Sequence, residues 1–310
     1  MFRFITLRII SSLAVLLTII TITFFLMHSI PGGPFTAEKA VPAPIKKNIE
    51  IRYHLNDPLG RQYSDYLLNI AHGDLGPSFR YEARTVNQII AESFPVSAEL
   101  GLIAVAIALV LGLPAGIIAA VNHNRWPDYG AMFLASLGMS VPSFILAAIF
   151  IYFLAIKLKI LPAALWGSWE FAIMPALALA ALPTAFIARL MRASLLEVLA
   201  QNYIKVARAK GLPNYLILFR HALKNAILPV VTYVGPLMAG ILTGSFVVET
   251  IFAIPGLGRY FVSSIYNRDY TVILGVTIFY SALLIFFNLL VDITYSLLDP
   301  RIKLGSEERE

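Results

Sequence analysis

Long apolar runs separated by polar intervals dominate the chain, at residues 9–30, 97–121, 131–156, 171–188, 227–248 and 271–298. Crossing a hydrocarbon core of roughly 30 Å takes about 20 apolar residues as a helix. A backbone in lipid must satisfy its own hydrogen bonds, so runs of this length predict helices. The fourth run is the shortest and has the least definite edges. The pattern predicts an all-α polytopic membrane protein with six transmembrane helices.

The polar intervals are unequal. The first, 31–96, is too long for an idle loop, and its stretch 31–94 balances seven basic against seven acidic residues, which predicts a small external subdomain. A helix is expected over 62–72, then a turn from Gly73 to Pro77. A second helix is expected over 86–93, where Val86, Ile89, Ile90 and Phe94 recur at helical spacing. Such a subdomain either meets an external partner or caps the outer ends of the spans.

The interval 189–226 carries seven Lys or Arg and one acid, Glu197. Within it a short helix around Val206, Ala207 and Ala209 is expected to stop at Gly211, with Pro213 pre-setting φ for the next helix. This is the build of a docking element offered to a cytoplasmic partner. Between the fifth and sixth runs, Glu249 precedes an apolar hairpin with Pro255, Gly256, Gly258 and Arg259, expected as a re-entrant loop or gate. Glu249 would there pair with Arg259 or touch a cationic substrate. The expected division is a first transmembrane helix (1–30), an external segment (31–96), a five-helix core (97–298, containing the loop 189–226) and a cytoplasmic tail (299–310).

Composition agrees with the pattern: 58% hydrophobic and 14% charged residues, against roughly 45–50% and 25% in soluble domains. The net charge of +6 follows from topology and does not imply nucleic acid. With both termini inside, thirteen Lys and Arg fall on the cytoplasmic side and the short outer loops hold only Lys157, Lys159, Arg259 and Arg268. Arg3 and Arg8 ahead of an apolar run also fit a signal peptide, but the run is too long and lacks an A-x-A-like site, so an uncleaved span is expected. Cysteine is absent, which excludes thiol chemistry.

Catalytic signatures are missing. No G-x-x-x-x-G-K-[ST] or H-E-x-x-H sequence occurs, and the five histidines are scattered, so neither nucleotide hydrolysis nor a metalloprotease is expected. Asp292, one turn after Asn288, is the ionisable residue within a span, and charge at that depth is a functional candidate by default. Arg189 and Arg192 at the inner end of the fourth span are its expected partners. Glycine and proline at Gly112, Pro114, Gly116, Gly138, Pro142, Pro175 and Pro183 predict kinked, closely packed helices.

Ala207-Arg-Ala-Lys-Gly211, followed by Arg220, His221, Asn225 and Pro229, resembles the cytoplasmic coupling loop of ABC importer permeases, narrowly those of the dipeptide/oligopeptide/nickel family. Asp74 to Phe79, Val248 to Arg259, and Asn288 to Asp292 with Asp299, Pro300 and Arg301 fit the same family. The arrangement is similar to the first of its two permease subunits. One departure stands out: where the wider family begins its loop Glu-Ala-Ala, this chain has Lys205, Val206 and Ala207.

The resemblance implies the type I importer permease (MetI-like) fold in a prokaryotic cell membrane. It implies a homologous second permease, two P-loop ATPases that use ATP and Mg, and an external solute-binding protein. It further implies ATPase coupling through Lys205, Ala207, Arg208, Ala209, Lys210, Gly211, Leu212, Pro213 and Tyr215. Arg220, His221, Asn225 and Pro229 would support that loop. The cargo would be di- or oligopeptides, or alternatively a nickel chelate or another small solute. An ion-coupled secondary transporter is the alternative of another class, and would place intramembrane carboxylates at mid-depth.

Overall fold

The computed structural model describes residues 2–30, 57–81, 83–242 and 244–298, with side chains between 6 and 290. The expectations for 31–56, the tail 299–310 and the Asp292 side chain lie outside the described residues. Those that are described form helices, apart from turns and one antiparallel bridge between Pro77 and Thr85.

Helix α1 (Phe2–Ser29) is apolar on all sides, and its Thr18, Thr21, Thr23 and Ser29 hydroxyls donate to carbonyls one turn back. That is how a polar side chain is carried into lipid without an orphan donor. Helix α2 (Leu59–Ala71) occupies the expected position after it. Helix α3 (Val86–Val121) runs 36 residues, so the separate helix expected over 86–93 is its opening turns. Pro95 lies inside it. Proline removes one intrahelical bond, and the flanking turns continue regardless.

The third expected span is not one helix. Helix α4 (Trp126–Ser140) and α5 (Ser143–Phe150), which runs on as a π-helical segment Ile151–Lys157, meet at a 100° bend. Pro142 is the cause. It cannot donate to the preceding turn, and it drives Val141 into extended backbone at φ −96° and ψ 116°.

Helix α6 (Trp169–Leu199) holds Pro175 and Pro183 in its interior and continues well past residue 188, where the apolar run ended. Its extension is amphipathic: Met191, Ser194 and Leu195 are buried while Arg189, Ala193 and Glu197 are exposed. A window of pure hydropathy misses a helix that stays helical by packing one face.

Helix α7 (Asn202–Ala209), α8 (Asn214–Leu216), a π-helical segment Ile217–Ala222 and α9 (Leu223–Ala226) make up the following loop. The fifth span is α10 (Leu228–Leu242) and α11 (Phe246–Ile251). After α12 (Leu257–Asn267), α13 (Tyr270–Leu298) closes the described chain. Among the described residues five stretches are long and apolar enough to cross a membrane, and six if the bent pair is one span.

The chain divides into two compact units. The first comprises 1–96 and 256–285. Its core packs Val86, Ile89 and Ile90 of α3 against Leu257 of α12 and Val272 and Val276 of α13. Phe24 and Met27 of α1 join Tyr270, Ile273 and Leu274 in a second cluster. The Asp269 carboxylate, 1% exposed, accepts from Ser78 Oγ, from the Phe79 and Arg80 amides and from Thr271 Oγ1, fixing the segment before α3. The second unit, 97–255 with 286–310, holds the loop 200–226 and the helices that support it. There α3 and α6 touch without side chains between them: a Cβ built on Gly116 would lie 2.5 Å from the Ala188 carbonyl oxygen.

Candidate functional site

The loop between α6 and α10 is a folded element. Two residues after α6, α7 begins with Gln201 as its N-cap. Ile204 and Ala207 are its buried positions, three apart on one face, while Lys205, Val206, Arg208, Ala209 and Lys210 face outward. The helix ends as the sequence predicts. Gly211 adopts φ +75°, its amide bonds the Arg208 carbonyl at 2.9 Å, and Leu212 N reaches Ala207 O at 3.3 Å. This left-handed stop satisfies carbonyls that would otherwise be orphaned. Pro213, with φ −67°, then caps α8.

No atom lies within 4 Å of the place a Gly211 Cβ would occupy. The turn is therefore a prow with open space around it, flanked by exposed apolar side chains. Val206 is 53%, Tyr215 68% and Phe219 67% exposed. Exposed aromatics on a folded, basic element are the composition of an interface, since aromatic and Arg side chains carry most contact energy.

Its base is built from the segments that follow it. Ile217, Ala222 and Ala226 are the buried positions of the π-helical segment and α9. Asn225 donates through Nδ2 to Tyr203 Oη at 2.9 Å, and that hydroxyl lies 3.4 Å from the His221 carbonyl. Asn225 and His221 are thus brought together with Tyr203, a residue the sequence reading did not assign. The signal for it was weak, one tyrosine at the outset of a short helix. Arg220 is exposed and Pro229 sits in the first turn of α10.

The least anticipated group lies where the end of α3, the start of α4 and the later turns of α6 meet. Asp128, 1% exposed, takes Arg192 Nε on Oδ1 at 2.6 Å and Arg192 Nη2 on Oδ2 at 2.7 Å. The same Oδ2 accepts from the Asn124 amide at 2.9 Å and lies 3.4 Å from His123 Nδ1. The expected pairing of Arg189 and Arg192 with Asp292 lies outside the described residues. Within them, Arg192 forms this two-pronged pair with Asp128, and Arg189 donates to Ser136 Oγ at 2.6 Å. Asp128 sits in the first turn of α4, which packs along α6.

The gate candidates divide between the units. Glu249 is fully buried in α11 and accepts from Ser97 Oγ at 2.8 Å. Ala253 takes φ +52°, Ile254 N returns to Glu249 O at 2.8 Å, and Pro255 is exposed. Gly256 caps α12, Gly258 is buried within it and Arg259 is exposed. Asn288 is half-buried in α13. A hollow of about 650 Å³ lies along α3, α4 and α6, lined by Leu111, Ile118, Leu134, Leu177 and Ala181 among others, and none of the gate candidates reaches it. Among the described residues no three His, Asp or Glu gather as metal ligands.

Residues 112–304 match the family model described as the binding-protein-dependent transport system inner membrane component, and residues 1–101 match the model of its N-terminal part. The chain is 53% identical over 291 residues to the dipeptide transport system permease protein DppB of Bacillus subtilis, covering 94% of each. It is 49% identical over 306 residues to the oligopeptide transport system permease protein OppB of Salmonella typhimurium, covering 98% of this chain and 100% of that one. Among solved structures, an inward-facing MetNI methionine ABC transporter gives a TM-score of 0.59 at 18% identity, over 68% of this chain and 97% of that chain. An amino acid ABC transporter with histidines gives 0.53 at 16% identity, over 67% and 93%. At such identity the likeness to these structures is one of fold.

Proposed function

This chain belongs to the family of binding-protein-dependent transport system inner membrane components, and we propose that it is the subunit through which an ABC importer passes di- or oligopeptides. It is a multi-pass permease of the type I importer fold and not itself catalytic. The peptide cargo rests on the two peptide permeases to which it is about half identical over nearly their whole length.

The partners form one machine with it. A homologous permease completes the pathway, two P-loop ATPases bind ATP and Mg beneath it, and an external binding protein delivers the peptide. Both termini face the cytoplasm, an orientation supported by the excess of Lys and Arg in the loop 189–226. The segment Lys205 to Tyr215 docks into an ATPase cleft, with Arg208 and Lys210 meeting acidic groups at its rim. Closure of the ATPases on ATP moves the docked element, and the spans joined to it rock between inward and outward access. Glu249 and the Pro255–Arg259 stretch are the gate of that pathway.

The observation that carries this reading is the Gly211 prow: a left-handed turn in open space, held on a buried base and bordered by exposed Tyr215 and Phe219. Replacing Gly211 by Trp tests it, because the added Cβ has no atom of its own subunit within 4 Å and the left-handed backbone costs only about 1 kcal/mol. The variant should insert in the membrane and recover its partner permease, yet lose the ATPases on purification and lose uptake of a labelled tripeptide. Normal uptake would overturn docking at this turn.

A further inference from the structure

We propose that Asp128 is a positioning residue of the transport cycle, the link through which movement of the docking element reaches the inner ends of α3 and α4. The inference rests on the function proposed above.

Helix α6 is the lever. It hands over to α7 across only Ala200 and Gln201, so a displacement of the docking turn arrives first at the end of α6. Arg192 lies seven residues before that end, roughly 10 Å along the axis at 1.5 Å per residue. From there its guanidinium crosses to Asp128 with two hydrogen bonds. A bidentate Arg–carboxylate pair fixes both distance and orientation, where a single contact would pivot.

Asp128 in turn belongs to two helices. It lies in the first turn of α4. Through the Asn124 amide and His123 it also holds the Asn122–Arg125 turn, in which Asn124 takes φ +59°, and that turn follows directly on α3. One carboxylate thus gathers the cytoplasmic ends of three helices. Deeper in the unit, α3 meets α6 where Gly116 faces Ala188, and α4 meets α6 where Gly138 faces Ala181. The small-residue seams hold the helices along their length, and Asp128 holds them where the push enters.

An ion pair that only stabilised the fold would be an expensive choice, since burying a carboxylate costs several kcal/mol in lost hydration. A fully satisfied charge pair gives one arrangement and resists intermediate ones, which a lever requires.

The test uses the whole complex in nanodiscs and proteoliposomes, comparing Asp128→Asn, Arg192→Lys and Gly211→Trp. With Asp128→Asn the ATPases should co-purify and ATP hydrolysis continue, while tripeptide transported per ATP falls about tenfold. Arg192→Lys, which keeps the charge but not the fork, should fall between. A merely structural role would instead lower the yield and melting temperature of the complex and leave transport per ATP unchanged in the molecules that remain. That result overturns the proposal. Normal uptake with Gly211→Trp would instead overturn the function on which it rests.

A second measurement needs no variant at the pair. The chain has no cysteine, so spin labels at Asn122→Cys and Gln201→Cys report the α3 turn and the α6 end. Their separation should be the same with and without bound ATP while both move relative to the partner permease. A nucleotide-driven change in that separation overturns the proposal.

Discussion

Tyr203 and Asn225, 22 residues apart, are joined by an amide-to-hydroxyl hydrogen bond of 2.9 Å that closes the proposed docking element into a loop with a fixed base. Helix α7 is eight residues long, too short to persist alone in water. Its stability comes from the buried faces of Ile204 and Ala207 and from this bond.

Removing the hydroxyl in Tyr203→Phe should therefore loosen the base and leave the packing. At a half-exposed site the bond contributes about 0.5–1 kcal/mol. Limited proteolysis should cut the segment 202–215 a few-fold faster than in the wild type, with the melting temperature of the complex nearly unchanged.

Gly211→Ala should separate conformation from docking. Left-handed backbone costs an L-residue about 1 kcal/mol, and the Cβ has room. The expected outcome is ATPase association weakened about fivefold, measured by titrating ATPase onto the immobilised permease, in contrast to the complete loss with Trp.

Gly116→Ala should be far more damaging than its size suggests. The new methyl would sit 2.5 Å from the Ala188 carbonyl oxygen and 2.7 Å from Met191 Cβ, neither a flexible side-chain end. Overpacking of this kind costs roughly 1–3 kcal/mol. A drop in melting temperature, with loss of detergent-stable permease, is the measurable result.

Asp269→Ala should release the segment 78–81. The carboxylate accepts from the Phe79 and Arg80 amides and the Ser78 hydroxyl there, and leaving such half-buried donors unpaired costs about 1 kcal/mol each. A cysteine placed at Arg80 should become reactive to maleimide in the purified complex at least several-fold faster.

Ser97→Ala removes one donor from the buried Glu249 carboxylate. Loss of this buried hydrogen bond should cost about 1–3 kcal/mol, read as a lower melting temperature. If Glu249 belongs to the gate, transport should fall with it while ATPase binding stays intact.

The main features of this architecture could be read from the chain because lipid imposes one rule on every span. Apolar length located α1, α3 and α13. The same criterion failed where packing took over: α6 runs on through Met191, Ser194 and Leu195 by covering one face, and Pro142 turns one apolar run into two helices. The docking turn was legible because Gly211 and Pro213 each dictate their own backbone angles. Asp128 was not. An acid in a helix's first turn, following Trp126 and Pro127, has the look of an ordinary start signal, and only three-dimensional proximity gives it Arg192.

The π-helical segment Ile217–Ala222 gives the length of this loop one residue of tolerance. A π turn accommodates one residue more than an α turn. Deleting one of those six would let the segment rewind as ordinary helix with the phase beyond it nearly kept, so Asn225 would still face Tyr203. A deletion within α7 has no wide turn to absorb it and would swing Ile204 or Ala207 off the buried face by about 100°. The spare residue of the wide turn is thus the place where a chain of this build can shorten without unseating the turn at Gly211.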